Sequence, residues 1–216
     1  MAGIAGQSRV NQAGGAAPSA DRLEELGIVG AGGGGFPAAV KFKTKVSLVI
    51  VNAAECEPLL HKDKELLHHH LEPFLRGLQM AMEIVGARQA AIGIKEKYHE
   101  IIAALERVVP PGVRVVPLPD VYPAGDEFIL VHLVTGRVIP PGGLPKDVDV
   151  AVSNVETLIN IGLDKPVTHK YLSVAGAVAS VQAAVAAGCK VAAEDGMLVG
   201  RSVIAAPSEE LFRDYI

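Results

Sequence analysis

Four short stretches carry residues whose type and spacing suit chemistry. The densest is "GIVGAGGGGFPAAVKF", residues 27–42, with glycine at six of its first nine positions. Consecutive glycines expose backbone N–H groups and admit positive φ, so a ligand can approach the main chain without meeting Cβ atoms. Pro37 suits the start of a helix whose N-terminus favours an anion, and Lys41, one turn on, adds a full positive charge. A phosphate or a flat ring against this backbone is the chemistry these residues suit. Gly30, Gly32 and Gly35 satisfy G-x-G-x-x-G, but a dinucleotide turn follows a strand, and here a helix-like segment precedes it. A Walker loop is excluded, because Phe36-Pro37 stands where Lys-Ser/Thr would be needed. A flexible linker is the bland alternative, and linkers rarely place Phe-Pro directly after their glycines.

The other three stretches are polar ends of apolar runs. "NAAECEP" (52–58) closes a β-branched run with Asn52, Glu55 and Glu57, which are either ligand acceptors or a solvated acidic loop. "YPAGDE" (122–127) brings Gly125, Asp126 and Glu127 to a helix start, where acids bind a ligand or cap the helix. "NVETL" (154–158) offers Asn154 and Thr157, with an ordinary helix cap by Asn154 as the rival reading. Nothing nearby need activate Cys56. His68, His69 and His70 occupy consecutive helix positions that point in different directions, so they read as a solvated face and no metal site is expected.

The elements around these stretches alternate. "SADRLEELG" reads as a short helix capped by Ser19 or Asp21 and stopped by Gly27. Strands are expected at 46–53, 90–95, 113–119 and 149–154, and helices at 63–86, 97–109, 127–136 and 155–162. The 63–86 helix places Leu67, Leu71, Phe74, Leu75, Leu78, Met82 and Val85 on one face, and Pro73 should break or kink it or start a second helix. Tyr98, Ile101, Ile102, Leu105 and Val108 form the apolar face of 97–109. Alternation of this kind argues an α/β domain with a mostly parallel sheet. Residues 1–20 read as a disordered tail. After Gly162 the texture shifts to alanine and valine, which reads as a small β-α-β-α unit with a strand at 197–207 and a closing helix.

Composition narrows the partners. The 216 residues carry a net charge of −4, which gives no electrostatic case for nucleic acid. No apolar run approaches ~20 residues, so no membrane span is expected, and no secretory signal is evident. Two cysteines, Cys56 and Cys189, are too few for an iron–sulfur cluster, which usually takes four.

"GAGGGGFP", "VNAAECEP", "YPAGDE" and "VSNVETL" stand in the order and spacing of a flavoprotein family. Residues 22–176 resemble the FMN- and NADH-binding subunit of respiratory complex I. They are more similar to the C subunit of the Rnf complex, and most similar to the cobalamin reductases of propanediol-utilisation microcompartments. The resemblance implies a Rossmann-like flavoprotein domain over 21–168, an NADH-dependent flavin oxidoreductase passing hydride from NADH to FMN. It implies that Gly30, Gly32, Gly33, Gly34 and Gly35 embrace the flavin and its phosphate. Lys41 then lies beside the phosphate and Phe36 near the nucleotide. Asn52 and Glu55 contact the flavin, Glu57 faces the ribose, and Gly125, Asp126, Glu127, Asn154 and Thr157 complete the site. The family usually has Ala at Gly34 and Thr at Ala38, and the second change removes a hydroxyl.

From about 170 to 216 the chain resembles instead the second half of a microcompartment shell protein, with the seam at "VAGAV" (174–178). Residues 169–216 would then be a partial shell domain. The setting implied is a bacterial cytoplasm, in or on a microcompartment, with NADH, shell proteins and a cobalamin-handling or iron–sulfur electron acceptor as partners. The alternative is a shell-associated fusion or chimeric fragment with a vestigial nucleotide site.

Overall fold

The β-branched run becomes β1 (Leu48–Ala53), buried at every position except Asn52. Continuous apolar side chains on both faces suit a strand covered by helices on either side. The computed structural model describes residues 17–32, 35–56, 61–167 and 178–194. Beside β1 lie β2 (Gln89–Lys95), β3 (Val113–Leu118) and β4 (Val150–Asn154), all parallel, in the order β3-β2-β1-β4. The chain winds outward from β1 through β2 to β3, then returns to place β4 on the other side of β1. The reversal point is the β1/β4 boundary, where Asn52 and Asn154 are register partners at the carboxyl ends. In open α/β sheets ligands bind in the crevice at that position.

The helices are α1 (Ala20–Glu25), α2 (Ala38–Phe42), α3 (Lys62–His69), α4 (Leu71–Val85), α5 (His99–Val108), α6 (Glu127–Thr135) and α7 (Val155–Leu163), with a 3-10 turn at Pro145–Val148. The two faces of the sheet have separate cores. Val49, Val51 and Ala53 pack with Phe42, Phe74, Leu78 and Leu158 on one side. Leu48 and Ile50 pack with Leu130, Val131 and Val134 of α6 on the other.

The expected α/β alternation and parallel sheet are observed, with differences at three places. The 63–86 segment is two helices, and the break falls at His70 rather than at Pro73. A proline ring collides with the carbonyl four residues before it, so the helix through His69 cannot continue to Pro73. Pro73 instead takes the third position of α4, where its missing N–H costs nothing. Val108 is exposed rather than buried with its helix face. Ser19 accepts from the Arg22 N–H at 3.1 Å, so α1 starts inside the stretch read as tail. Residues 1–16, the 197–207 strand and the closing helix lie outside the described residues. A second compact unit contains residues 57–60 and 168–216, and within it α8 (Val178–Glu194) is a 17-residue helix. Among the described residues no helix is long and apolar enough to cross a membrane.

The crossing of α4 and α7 is a backbone contact. A Cβ on Gly77 would lie 1.7 Å from the Leu158 carbonyl oxygen, and one on Gly162 would lie 1.9 Å from that of Pro73. Gly77→Ala therefore forces two helices apart, at an expected cost of about 3 kcal/mol or more. Urea unfolding followed by circular dichroism measures it. An unchanged midpoint would mean that the crossing has slack.

Candidate functional site

The crevice at the carboxyl ends of β1 and β4 is a cavity of about 440 Å³. Small-molecule sites range over roughly 300–1,000 Å³. Its roof is the glycine loop. A bridge between Val29 and Pro37 closes the loop, and the Gly30 N–H donates to the Phe36 carbonyl at 2.7 Å. The Ala31 N–H donates to Thr157 Oγ1 at 2.9 Å, and Lys62 Nζ donates to the Ala31 carbonyl at 3.1 Å. The loop is thus tied to α7 and α3 rather than hanging as a linker. Gly30, Gly32 and Gly35 line the cavity with Phe36, which is 51% exposed. Gly33 and Gly34 lie outside the described residues.

Lys41 lines one wall and donates to the Val152 carbonyl at 3.1 Å. Its ammonium lies 3.6 Å from the Glu127 carboxylate, which also lines the cavity. Asp126 caps α6 and also lines the cavity. Its carboxylate accepts from the Phe128 and Ile129 N–H groups at 3.0 and 3.2 Å.

The far wall is a chain of close contacts. Asn52 donates to the Gly125 carbonyl at 2.7 Å and accepts from the Ala54 N–H at 3.1 Å. The Gly125 N–H in turn donates to Cys56 Sγ at 2.9 Å. A Cβ on Gly125 would stand 2.1 Å from the Ala54 carbonyl oxygen, so only glycine fits there. Cys56 is a structural acceptor that holds Gly125 and Asn52 at the cavity.

Asn154 and Thr157 form the floor. Asn154 caps α7 by accepting from the Glu156 N–H at 2.9 Å, and it also lines the cavity. Its amide donates to both carboxylate oxygens of Asp63, at 3.1 and 3.2 Å. Glu55 is not among the cavity-lining residues. Its carboxylate accepts from the Asp63 N–H at 3.3 Å. Glu57 lies outside the described residues. The sequence reading missed Asp63, Lys62 and Ser153. Ser153 lines the cavity, is buried, and its hydroxyl has no hydrogen-bond partner among the described residues. Its one signal is its place directly before Asn154 at a strand's carboxyl end. His68, His69 and His70 are exposed, and the rings of His68 and His69 meet edge to face at 4.8 Å.

A buried unpartnered hydroxyl, a lysine and a cradle of glycine backbone fit a phosphorylated planar ligand. The fold and site therefore define an α/β domain of the nucleotide-binding kind, with its cavity at the sheet's switch point. The chain belongs to the family of the Nuo51 FMN-binding domain, which it matches over residues 23–163. It is 48% identical over 163 residues to the cobalamin reductase PduS of Citrobacter freundii, covering 74% of this chain and 36% of that protein. It is 40% identical over 144 residues to the C subunit of the proton-translocating ferredoxin:NAD(+) oxidoreductase complex of Clostridium ljungdahlii, covering 64% of this chain and 32% of that protein. The chain thus spans about a third of the length of these relatives. Among solved structures it resembles an NAD+-reducing [NiFe]-hydrogenase in the H2-reduced state. The TM-score is 0.59 at 25% identity, over 67% of this chain and 30% of that one.

Asp63 carries the strongest electrostatic perturbation at the site. Burial, and next the Glu55 charge, push its carboxyl up to about 7, against weaker lowering by Lys62 and by the Asn154 amide. From its ordinary value of 3.8 up to about 7 the folded state keeps a proton that the unfolded chain has lost. Stability therefore falls as pH rises through that window. Asp63→Asn should recover on the order of a few kcal/mol at pH 8 relative to pH 5. Urea midpoints of both proteins at the two values test this, and parallel pH dependence would refute it.

Proposed function

We propose that this chain is the flavin domain of an NADH-oxidising electron-transfer protein. One observation carries the reading. The glycine loop, pinned by the Ala31–Thr157 hydrogen bond, roofs a switch-point cavity that Lys41 and the unpartnered Ser153 hydroxyl line. FMN bound there would accept a hydride from NADH stacked on its ring and pass the electrons onward. Lys41 and the loop's N–H groups would hold the phosphate, with Gly33 and Gly34 part of the same cradle. Asn52, Ser153, Asn154 and Thr157 would hydrogen-bond the flavin, while Gly125, packed against Ala54 and bonded to Asn52, would hold that side chain toward it. Phe36, at the exposed rim, would face the incoming nucleotide, with Glu57 on its ribose side. No general base is required, because hydride transfer depends on ring stacking and on the surrounding charges.

The names of the relatives support an acceptor that handles cobalamin or carries iron–sulfur clusters. With two cysteines, this chain would hand electrons on from FMN directly. The setting proposed is a bacterial microcompartment, with residues 169–216 as a partial shell-type unit contributing little to flavin binding.

Titration of the apoprotein with flavin, followed by fluorescence quenching, tests the site. Lys41→Met should weaken FMN about 10- to 100-fold and riboflavin much less, because the lysine serves the phosphate. Equal losses for both ligands would remove the lysine's assignment, and absence of flavin binding in the parent would remove the function. Under anaerobic conditions NADH should bleach the bound flavin, and turnover should require a small artificial acceptor. Efficient reduction of a cobalamin partner by this chain alone would overturn the proposed electron route.

A further inference from the structure

Asp63 has no place in the flavin contacts described above, yet it is 4% exposed and stands one side chain from the cavity. Its carboxylate meets the Asn154 amide at 3.1 and 3.2 Å. That amide cannot turn away, because its oxygen accepts from the Glu156 N–H at 2.9 Å. The Asn154 side chain is at once the wall of the cavity and the neighbour of the glycine loop. Its Cβ lies 3.6 Å from where a Cβ on Gly32 would stand. Asp63 therefore sets the amide that separates it from whatever occupies the cavity.

The charges around Asp63 are net negative. Glu55 accepts its N–H from the segment after β1, and Glu156 adds a second carboxylate from α7. Lys62 opposes them, but its ammonium is shared between Glu156 at 3.1 Å and the Ala31 carbonyl at 3.1 Å. α4 and α5 also pack on α3. Among the described residues, Asp63 makes no hydrogen bond or ion pair with the charged residues of α4 (Glu72, Arg76, Glu83) or of α5 (Glu100, Glu106, Arg107, and His99 when protonated). An anionic ligand under the glycine loop adds negative charge to a region already short of cations. Two negative groups in one poorly solvated region favour a proton on one of them. Asp63, with its carboxyl near neutrality, is the group placed to take it.

We propose that Asp63 is a positioning residue whose proton is linked to the cavity's anionic ligand. In either state its carboxyl accepts from the Asn154 amide and positions it; protonated, it adds no charge beside a bound flavin phosphate, and ionised, it opposes that phosphate. The inference rests on the flavin reading of the cavity. Linkage is reciprocal, so tighter binding at low pH and proton uptake on binding are the same effect.

The test is the dissociation constant of FMN, by fluorescence quenching, from about pH 6 to about pH 8, for the parent and Asp63→Asn. The variant keeps the titration of the ligand's own phosphate and is the baseline. Relative to it, the parent should lose about tenfold in affinity across the range. Riboflavin should show a much smaller loss. Parallel profiles for the two proteins would overturn the proposal. Should Asp63→Asn prove unfolded by circular dichroism, Asn154→Ser decides. It keeps a cap but removes the donor that favours the ionised carboxyl, so the break in the profile should move to higher pH. An unmoved break would overturn the proposal. If neither flavin binds the parent at any pH, the flavin reading itself falls, and this inference with it.

Discussion

The backbone-to-backbone crossing of α4 and α7 at Gly77 and Gly162 places everything beneath the cavity. Helices in ordinary contact keep side chains between them, at axis separations of roughly 8–10 Å. Removing both Cβ atoms lets α7 sit closer, and Leu158 is fully buried at the same junction. The N-terminus of α7 is therefore held rather than frayed. That end carries Asn154 as its cap and Thr157 in its first turn. The glycine loop takes its position from Thr157, and Asp63 takes its partner from Asn154. A packing constraint on the side of α7 away from the cavity thus fixes polar groups within it.

The polar side chains of the site perform structural work and line the cavity at once. Asn52 bridges β1 to the Gly125 loop, Asp126 caps α6, and Asn154 caps α7. A buried polar group without a partner costs about 1–3 kcal/mol. Using the same groups as caps and as cavity walls keeps that cost low before a ligand arrives. Ser153 departs from this pattern, since its buried hydroxyl has no partner among the described residues. Charge follows the same division. Lys41 is balanced by Glu127 across one wall, whereas Asp63 lies behind the other among further carboxylates. The cavity is electrostatically asymmetric, which favours one orientation of a molecule with an anionic end.

Strand order and site position depend on different information. The run from Leu48 to Ala53 is legible as a buried strand because its side chains are apolar on both faces, a local property of the chain. Cap chemistry was equally local at Ser19 and at Asn154, where a side-chain oxygen within three residues of an exposed N–H decides the helix start. The break at His70 was legible only in part. Pro73 signalled it, but the steric rule acts on the carbonyl four residues upstream, so the interruption falls before the proline. Val108 follows helical periodicity yet stays exposed at the last turn of α5, where the apolar face runs past the core.

By itself the sequence determined the alternating elements, the parallel sheet and four polar stretches at their ends, because periodicity, caps and glycine density are properties of neighbours along the chain. It also determined the family, through the order and spacing of those stretches. Only the tertiary structure decided which of their residues meet. It brought Asn52 beside Asn154 across a register, turned Glu55 from the cavity toward Asp63, made Cys56 an acceptor for Gly125, and set Ser153 unpartnered in the wall. Most of these meetings join residues far apart along the chain. Their separation in space is fixed by the crossover of β4 to the far side of β1 and by the close approach of α4 to α7, and no local pattern in the chain encodes either distance.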